Sequence, residues 1–250
     1  MLEIWNAAEH NENAECGIKV ALNPEGRSEY INFLLSLDGL SHVQEDRGSA
    51  YCPISLTSTP DELKLLIKRR QEVLKQVLQK AGITAYDPAT SPFSPDRDLS
   101  VQPNEVYLVD SGKIVGSRYF VGHNILPSTG YGIEAQKAVQ FNRIPVILMD
   151  SRIRVSRMQP PRSIYLQYVN FEEQADDFVK VFEHLQHYEP GMGFNNGIPV
   201  LLGFTQSGDV VDLEESVYKK FPHLQYHYNG TTPILKVRAE NPHLFYEKVN

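Results

Sequence analysis

Cysteine is nearly absent. Cys16 and Cys52 are the only two in 250 residues, too few for a disulfide framework and at no zinc-ligand spacing, so a reducing compartment is the expected setting. No apolar run approaches the roughly 18 residues of a membrane span. The opening MLEIWNAAEHNENAEC is acidic and lacks the charged-then-apolar order of a signal peptide. Basic residues are in short supply too: 24 Lys and Arg stand against 31 Asp and Glu, a formal charge of -7, which argues against a general nucleic-acid binder but leaves small anions in a local pocket open. The histidines call for no metal, since His184 and His187 stand beside a predicted helix end without acids at ligand spacing. The expectation is a soluble cytoplasmic protein with neither membrane nor nucleic-acid partner.

What is present is enough apolar material for a sizeable core. The chain is 41% hydrophobic and 10% aromatic, which fits one large domain or a domain with an appendage. Residues 1–48 read as a polar N-terminal extension with a helix over Ser28 to Leu37. Ala50 to Leu56 reads as a first strand, and Thr59-Pro60-Asp61-Glu62 as a helix start with a Thr cap and Pro at the first position. Leu63, Leu66, Ile67, Leu74, Val77 and Leu78 then mark one face of a long amphipathic helix that Gly82 closes. Ile83 to Tyr86 follows as a short strand, 87–103 as a long Pro/Ser/Asp-rich loop, and Glu105 to Val109 as a third strand.

The alternation of helix and strand predicts a parallel sheet with ligands at the carboxyl ends of its strands. Those ends are Ser55 to Thr57, Asp87, Asp110 and the loop entering Glu134. A helix over Glu172 to His187 ends this α/β region, 49–188. Residues 189–197 read as a Gly/Asn-rich linker, and 198–250 as a smaller C-terminal α/β appendage with strands at Pro199 to Phe204, Leu224 to Tyr228 and Pro233 to Val237. Asn229-Gly230 is a hairpin signal, and helices are expected at Leu213 to Lys220 and Pro242 to Val249.

The chemistry concentrates in LPSTGYGIEAQKAVQFNRIPVILMD, Leu126 to Asp150. Gly130 and Gly132 permit close ligand approach, Ser128 and Thr129 add hydroxyls beside the free N–H groups of a helix start, and Glu134 is the one carboxylate there. A capped surface helix with Glu134 as an ordinary first-turn acid is the simpler account of the same residues. Downstream, Arg152, Arg154, Arg157 and Arg162 make a basic cluster near the carboxyl edge.

The run Pro127 to Glu134, with Ala138-Val139 and Phe141-Asn142-Arg143 behind it, resembles the active-site segment of the nucleoside 2-deoxyribosyltransferase superfamily, and is most similar to its 2-deoxynucleoside 5-monophosphate N-glycosidase branch. Tyr51-Cys52-Pro53-Ile54-Ser55, Arg69-Arg70 and Tyr86-Asp87-Pro88 are similar to that family's opening β-α-β unit. The resemblance covers roughly residues 49–150. It implies a Rossmann-like, flavodoxin-type parallel sheet flanked by helices, and hydrolysis or transfer at an N-glycosidic bond. Glu134 would be the nucleophile and Asp98 or Asp96 the acid, with Asp110 as a third option. Tyr51, Ser55, Asp110, Ser128, Thr129, Gly130 and Gly132 would bind a nucleoside or nucleotide, without a cofactor and within a homodimer. Where free-nucleoside transferases usually carry Asp, Ser128 is similar to the monophosphate enzymes and favours a phosphorylated ligand. Residues 111–127 read as an insertion whose Lys113, Arg118 and His123 could bind phosphate or cover the site. A non-catalytic module sensing a nucleotide or an NAD-derived ligand is the alternative. The Pro-Gly-Gly loop of the phosphoribohydrolase group fits less well, because Gly132 is followed by Ile133 and Glu134 by Ala135.

Overall fold

The structure, a computed structural model, describes residues 12–13, 17–55, 59–91, 102–126, 128–153 and 160–227. In chain order the elements are β1 (Glu12–Asn13), β2 (Ile18–Leu22), α1 (Pro24–Leu37), β3 (Asp46–Tyr51), α2 (Asp61–Lys80), β4 (Thr84–Tyr86), α3 (Pro103–Gly116), β5 (Ser117–His123) and α4 (Thr129–Gln140). Then come β6 (Ile144–Asp150), β7 (Ile164–Tyr168), α5 (Ala175–Leu185), β8 (Glu189–Asn195), β9 (Ile198–Phe204), β10 (Val210–Asp212) and α6 (Leu213–Lys220).

Five strands form a parallel sheet in the order β4-β3-β5-β6-β7, the flavodoxin order in which the chain reverses direction between its first and third strands. Strands β5 and β6 are apolar along most of their length because both faces are covered. On one face, Leu74, Val77 and Leu78 of α2 and Phe178, Val181 and Phe182 of α5 pack on Val121, Val146 and Leu148. On the other, Ile114 of α3 and Ala135 and Ala138 of α4 pack on Tyr51, Phe120 and Ile147. Helix α2 ends at Gly82, whose φ of 75° needs no Cβ. Its start is one residue later than expected: Pro60 holds the cap position, and Thr59 donates its hydroxyl to the Ser55 carbonyl instead.

The expected third strand, Glu105 to Val109, is the first half of α3. Its aromatic and branched residues read as strand, but Pro103 opens a helix and the Glu105 carboxylate accepts from the Gln102 N–H at 3.1 Å. The true third strand is β5: within the expected insertion, residues 111–116 end α3 and 117–123 are β5.

The expected linker at 189–197 is strand β8 and a tight turn, in which Asn196 and Gly197 have φ of 48° and 80°, the signature of a two-residue hairpin. Its glycines serve close approach. A Cβ on Gly193 would lie 2.2 Å from the Lys19 carbonyl oxygen of the neighbouring strand. With β8 central, a second sheet runs antiparallel in the order β1-β2-β8-β9-β10, so strands near the start of the chain share it with strands from 189–212. A buried charge cluster ties this sheet to the first: Arg27 and Arg143 both grip Glu45, and Arg118 reaches Glu189 and the Tyr188 carbonyl. Leu224, expected to open a strand, lies in a short 3-10 turn. The Asn229-Gly230 hairpin and the elements expected beyond it lie outside the described residues. Among the described residues, no helix is long and apolar enough to cross a membrane.

Gly122 of β5 is where sheet and α4 meet most closely. A Cβ there would stand 2.6 Å from Pro53 Cγ and 3.0 Å from Tyr131 Cε2. Gly122→Ala is expected to lower stability by about 1–3 kcal/mol through overpacking, read as a fall in the denaturant midpoint; an unchanged midpoint would show that Pro53 and Tyr131 do not press on this strand.

Candidate active site

The site grows from the last residue of β3. Tyr51 is fully buried, with its ring between Phe120 of β5 at 6.0 Å and Tyr86 of β4 at 5.7 Å, both stacked. Tyr131 in the first turn of α4 meets Phe120 edge-on at 5.7 Å and donates its hydroxyl to the Gly122 carbonyl at 3.2 Å. That anchor fixes the direction in which the next turn points. Glu134, one turn on, therefore faces the sheet, where it accepts the Tyr51 hydroxyl proton at 3.0 Å.

Asp110 of α3 belongs to the same cluster. Its charge raises the pKa of Glu134, and the Tyr51 hydroxyl favours the ionised form of both acids. Burial dominates for each: it pushes Glu134 up to about 7, with Asp110 adding to the rise, and Asp110 up to about 6. Burial and the two carboxyl groups also hold Tyr51 well above its ordinary value, so its hydroxyl stays a donor. Glu134 lies in the second turn of α4, not the first, too far in for the helix terminus to offset its desolvation.

Ser128 is the N-cap of α4 and accepts from the Tyr131 N–H at 3.3 Å. Thr129, Gly130 and Gly132 are exposed, and a Cβ on Gly132 would meet nothing within 4 Å. Internal packing does not ask for glycine there. Ser55 is half-buried, with its carbonyl engaged by Thr59. Asp96 and Asp98 lie outside the described residues. Asp87 is a turn former: it accepts from the Ala89 N–H at 3.0 Å and pairs with Lys75 at 3.4 Å.

Of the cations that could hold a phosphate, Arg152, His123, Arg118 and Lys113 are engaged elsewhere. Arg152 forks Asp150 with bonds of 2.8 and 2.7 Å, and Arg70 adds a third at 3.0 Å. His123 lies half-buried on the opposite face of the sheet, with Nδ1 3.0 Å from the Tyr168 hydroxyl, and desolvation of its ring carries its pKa well below the usual histidine range. Arg118 is held by the second sheet, and Lys113 lies 5.1 Å over the Tyr86 ring. Arg154 and Arg157 lie outside the described residues. Sequence reasoning missed Tyr86, although its place at the end of a strand next to β3 was a usable signal.

Comparison with known proteins adds little. No family model matches, and no curated protein matches. Among solved structures the chain is similar to the CMP N-glycosidase BcmB of Clostridium botulinum, at 14% identity over 52% of this chain and 96% of that one, with a TM-score of 0.36. So loose a likeness carries no weight for the chemistry.

A carboxyl group whose pKa rises on folding holds an extra proton in the native state, so stability falls as pH climbs from its unfolded value through the folded one. For Glu134 that window runs from about 4.5 to about 7. Glu134→Gln is therefore expected to be the more stable form at pH 8, by about 1–3 kcal/mol, with the advantage shrinking toward pH 4.5. Parallel denaturation curves at the two pH values check it; a pH-independent difference would mean that Glu134 titrates normally.

Proposed function

We propose that this protein breaks the N-glycosidic bond of a nucleoside or nucleotide, with Glu134 as nucleophile and Asp110 as proton donor. The observation that carries this is the pair itself: two carboxyl groups with raised pKa values about one tyrosine hydroxyl, at the carboxyl ends of β3 and β5, where the sheet's topology reverses. Ionised Glu134 attacks the anomeric carbon of the sugar and forms a glycosyl ester as the bond to the base breaks. Asp110 delivers its proton to the departing base. Water, or a second base in a transferase, then takes the sugar from Glu134. Tyr51 steadies the carboxylate before attack and, once the ester forms, keeps its hydroxyl near the newly ionised Asp110.

Asp110 is put forward as the acid because its charge acts on Glu134; Asp98 and Asp96 lie outside the described residues and stand as the alternatives. A phosphorylated substrate is supported by the start of α4, where Ser128, exposed Thr129 and Gly130 present hydroxyl and N–H groups to an anion.

The active form carries one proton on the pair, whichever acid holds it in the free enzyme. The expected profile of kcat/KM is a bell with limbs near 6 and 7, and Asp110→Asn should remove the alkaline limb. A flat profile between pH 5 and 8 would contradict the assignment. Incubation with ribo- and deoxyribonucleosides, their monophosphates and NAD, followed by chromatography for free base, tests the activity itself. Base release that Glu134→Gln lowers by about a thousandfold or more, the scale of losing a covalent catalyst, is the expected result. Calorimetric binding of a nucleotide with no base released over hours would make the protein a ligand sensor instead.

A further inference from the structure

Lys137 of α4 is a buried cation that no step above uses. Its side chain is 7% exposed, and a lysine is rarely taken so far out of water without partners. The ammonium donates to Asp38 Oδ2 at 2.8 Å and to the Tyr107 hydroxyl at 3.2 Å, and lies 4.9 Å over the Tyr107 ring. Burial alone would lower its pKa, but the bonds to Asp38 and Tyr107 outweigh that and raise it, so the charge is kept.

The three residues belong to three helices. Asp38 ends α1, Tyr107 lies one turn before Asp110 on α3, and Lys137 lies one turn after Glu134 on α4. One ammonium therefore joins the helix of the proposed acid, the helix of the proposed nucleophile, and a helix that precedes the whole parallel sheet. Helix α1 holds α4 at a second point as well, where Arg27 donates to the Asn142 carbonyl at 3.0 Å, just past the end of α4.

Apolar packing draws α3 and α4 together without fixing how far apart they rest. Ile114, Ala135 and Ala138 share one cluster, and apolar contact has no direction; a hydrogen bond from a charged donor does. Lys137 is not among the groups that shift Glu134 or Asp110, so what it supplies is distance rather than charge. Distance matters to the proposed reaction. A nucleophile and an acid that act on one glycosidic bond work within a narrow range of separations, and a misplacement of about 1 Å can cost about a hundredfold in rate. Building on the glycosidase reading, we infer that Lys137 is a positioning residue: by tying α4 to α3 and α1 it sets the separation of Glu134 from Asp110.

The test reads that separation through the acids themselves. With glutamate side chains labelled for carbon NMR, Asp110→Asn in the full chain should lower the midpoint at which Glu134 titrates, because the Asp110 charge raises it. Cutting the clamp, by Lys137→Met or at an exposed position by Tyr107→Leu, should weaken that response. Lys137→Met should also lower kcat on the nucleotide that is cleaved by about tenfold or more, with KM little changed. The two substitutions together should cost no more than Lys137→Met alone, since they break the same contact. A Lys137→Met protein that unfolds more readily yet keeps both kcat and the full response to Asp110→Asn overturns the inference, leaving the lysine a purely structural tie and the glycosidase reading intact. Tyr107→Leu without effect on either reading overturns it too, and decides the matter if Lys137→Met does not fold. If the native protein releases base from no nucleotide, the glycosidase reading falls, and the titration alone decides whether Lys137 sets the spacing.

Discussion

Everything proposed for this chain depends on one phenol hydroxyl that acts on two half-buried carboxyl groups. Tyr51 donates to Glu134 at 3.0 Å and bears on Asp110 as well. Among the described groups that shift these two acids, none is a cation. The contrast with Asp150 is instructive. That carboxylate is fully buried where Glu134 and Asp110 are half-buried, yet Arg152 and Arg70 hold its pKa below the usual range. A neutralised acid of that kind holds a fold together. An acid left buried without a cation costs stability and gains reactivity, which is the usual mark of a functional carboxyl group.

The fold imposes this arrangement through few contacts. Parallel pairing of β3 with β4 and β5 brings Tyr51, Tyr86 and Phe120 into one aromatic layer. Gly122 lets Pro53 and Tyr131 close over β5, and the Tyr131 anchor sets the rotation of α4 that turns Glu134 inward. Asp110 arrives from α3, packed beside α4 on the same face. Far from the site, the Arg27, Arg143 and Glu45 cluster and the second sheet brace the amino ends of β5 and β6.

Strong periodicity was easy to read. The face of α2, the apolar strand β6, and the Ser-Thr-Gly entry into α4 all carry local signals that agree with their tertiary setting, and the parallel α/β sheet follows from their alternation. Glu134 was visible as the one acid behind that entry. Two things were not legible. Glu-Val-Tyr-Leu-Val in α3 has strand-like composition, and only the Pro103 start and the Glu105 contact to the Gln102 N–H decide for helix, which hid both β5 and the place of Asp110. Glycines in β8 read as linker because the backbone they accommodate, at Lys19, is more than 170 residues away in sequence; long-range crowding leaves no local trace. The same holds for the cations. Arg152 and His123 looked available until Asp150 and Tyr168, which occupy them, came into view.

The most direct measurement is mass spectrometry of protein quenched with acid during turnover of a nucleoside monophosphate, or after reaction with a 2-fluoro sugar analogue that slows hydrolysis of the ester. A mass increase equal to the sugar phosphate less one water, confined to the peptide holding Glu134 and absent in Glu134→Gln, is the predicted result. Free base released with no adduct at any quench time, or an adduct on a different residue, would contradict the account.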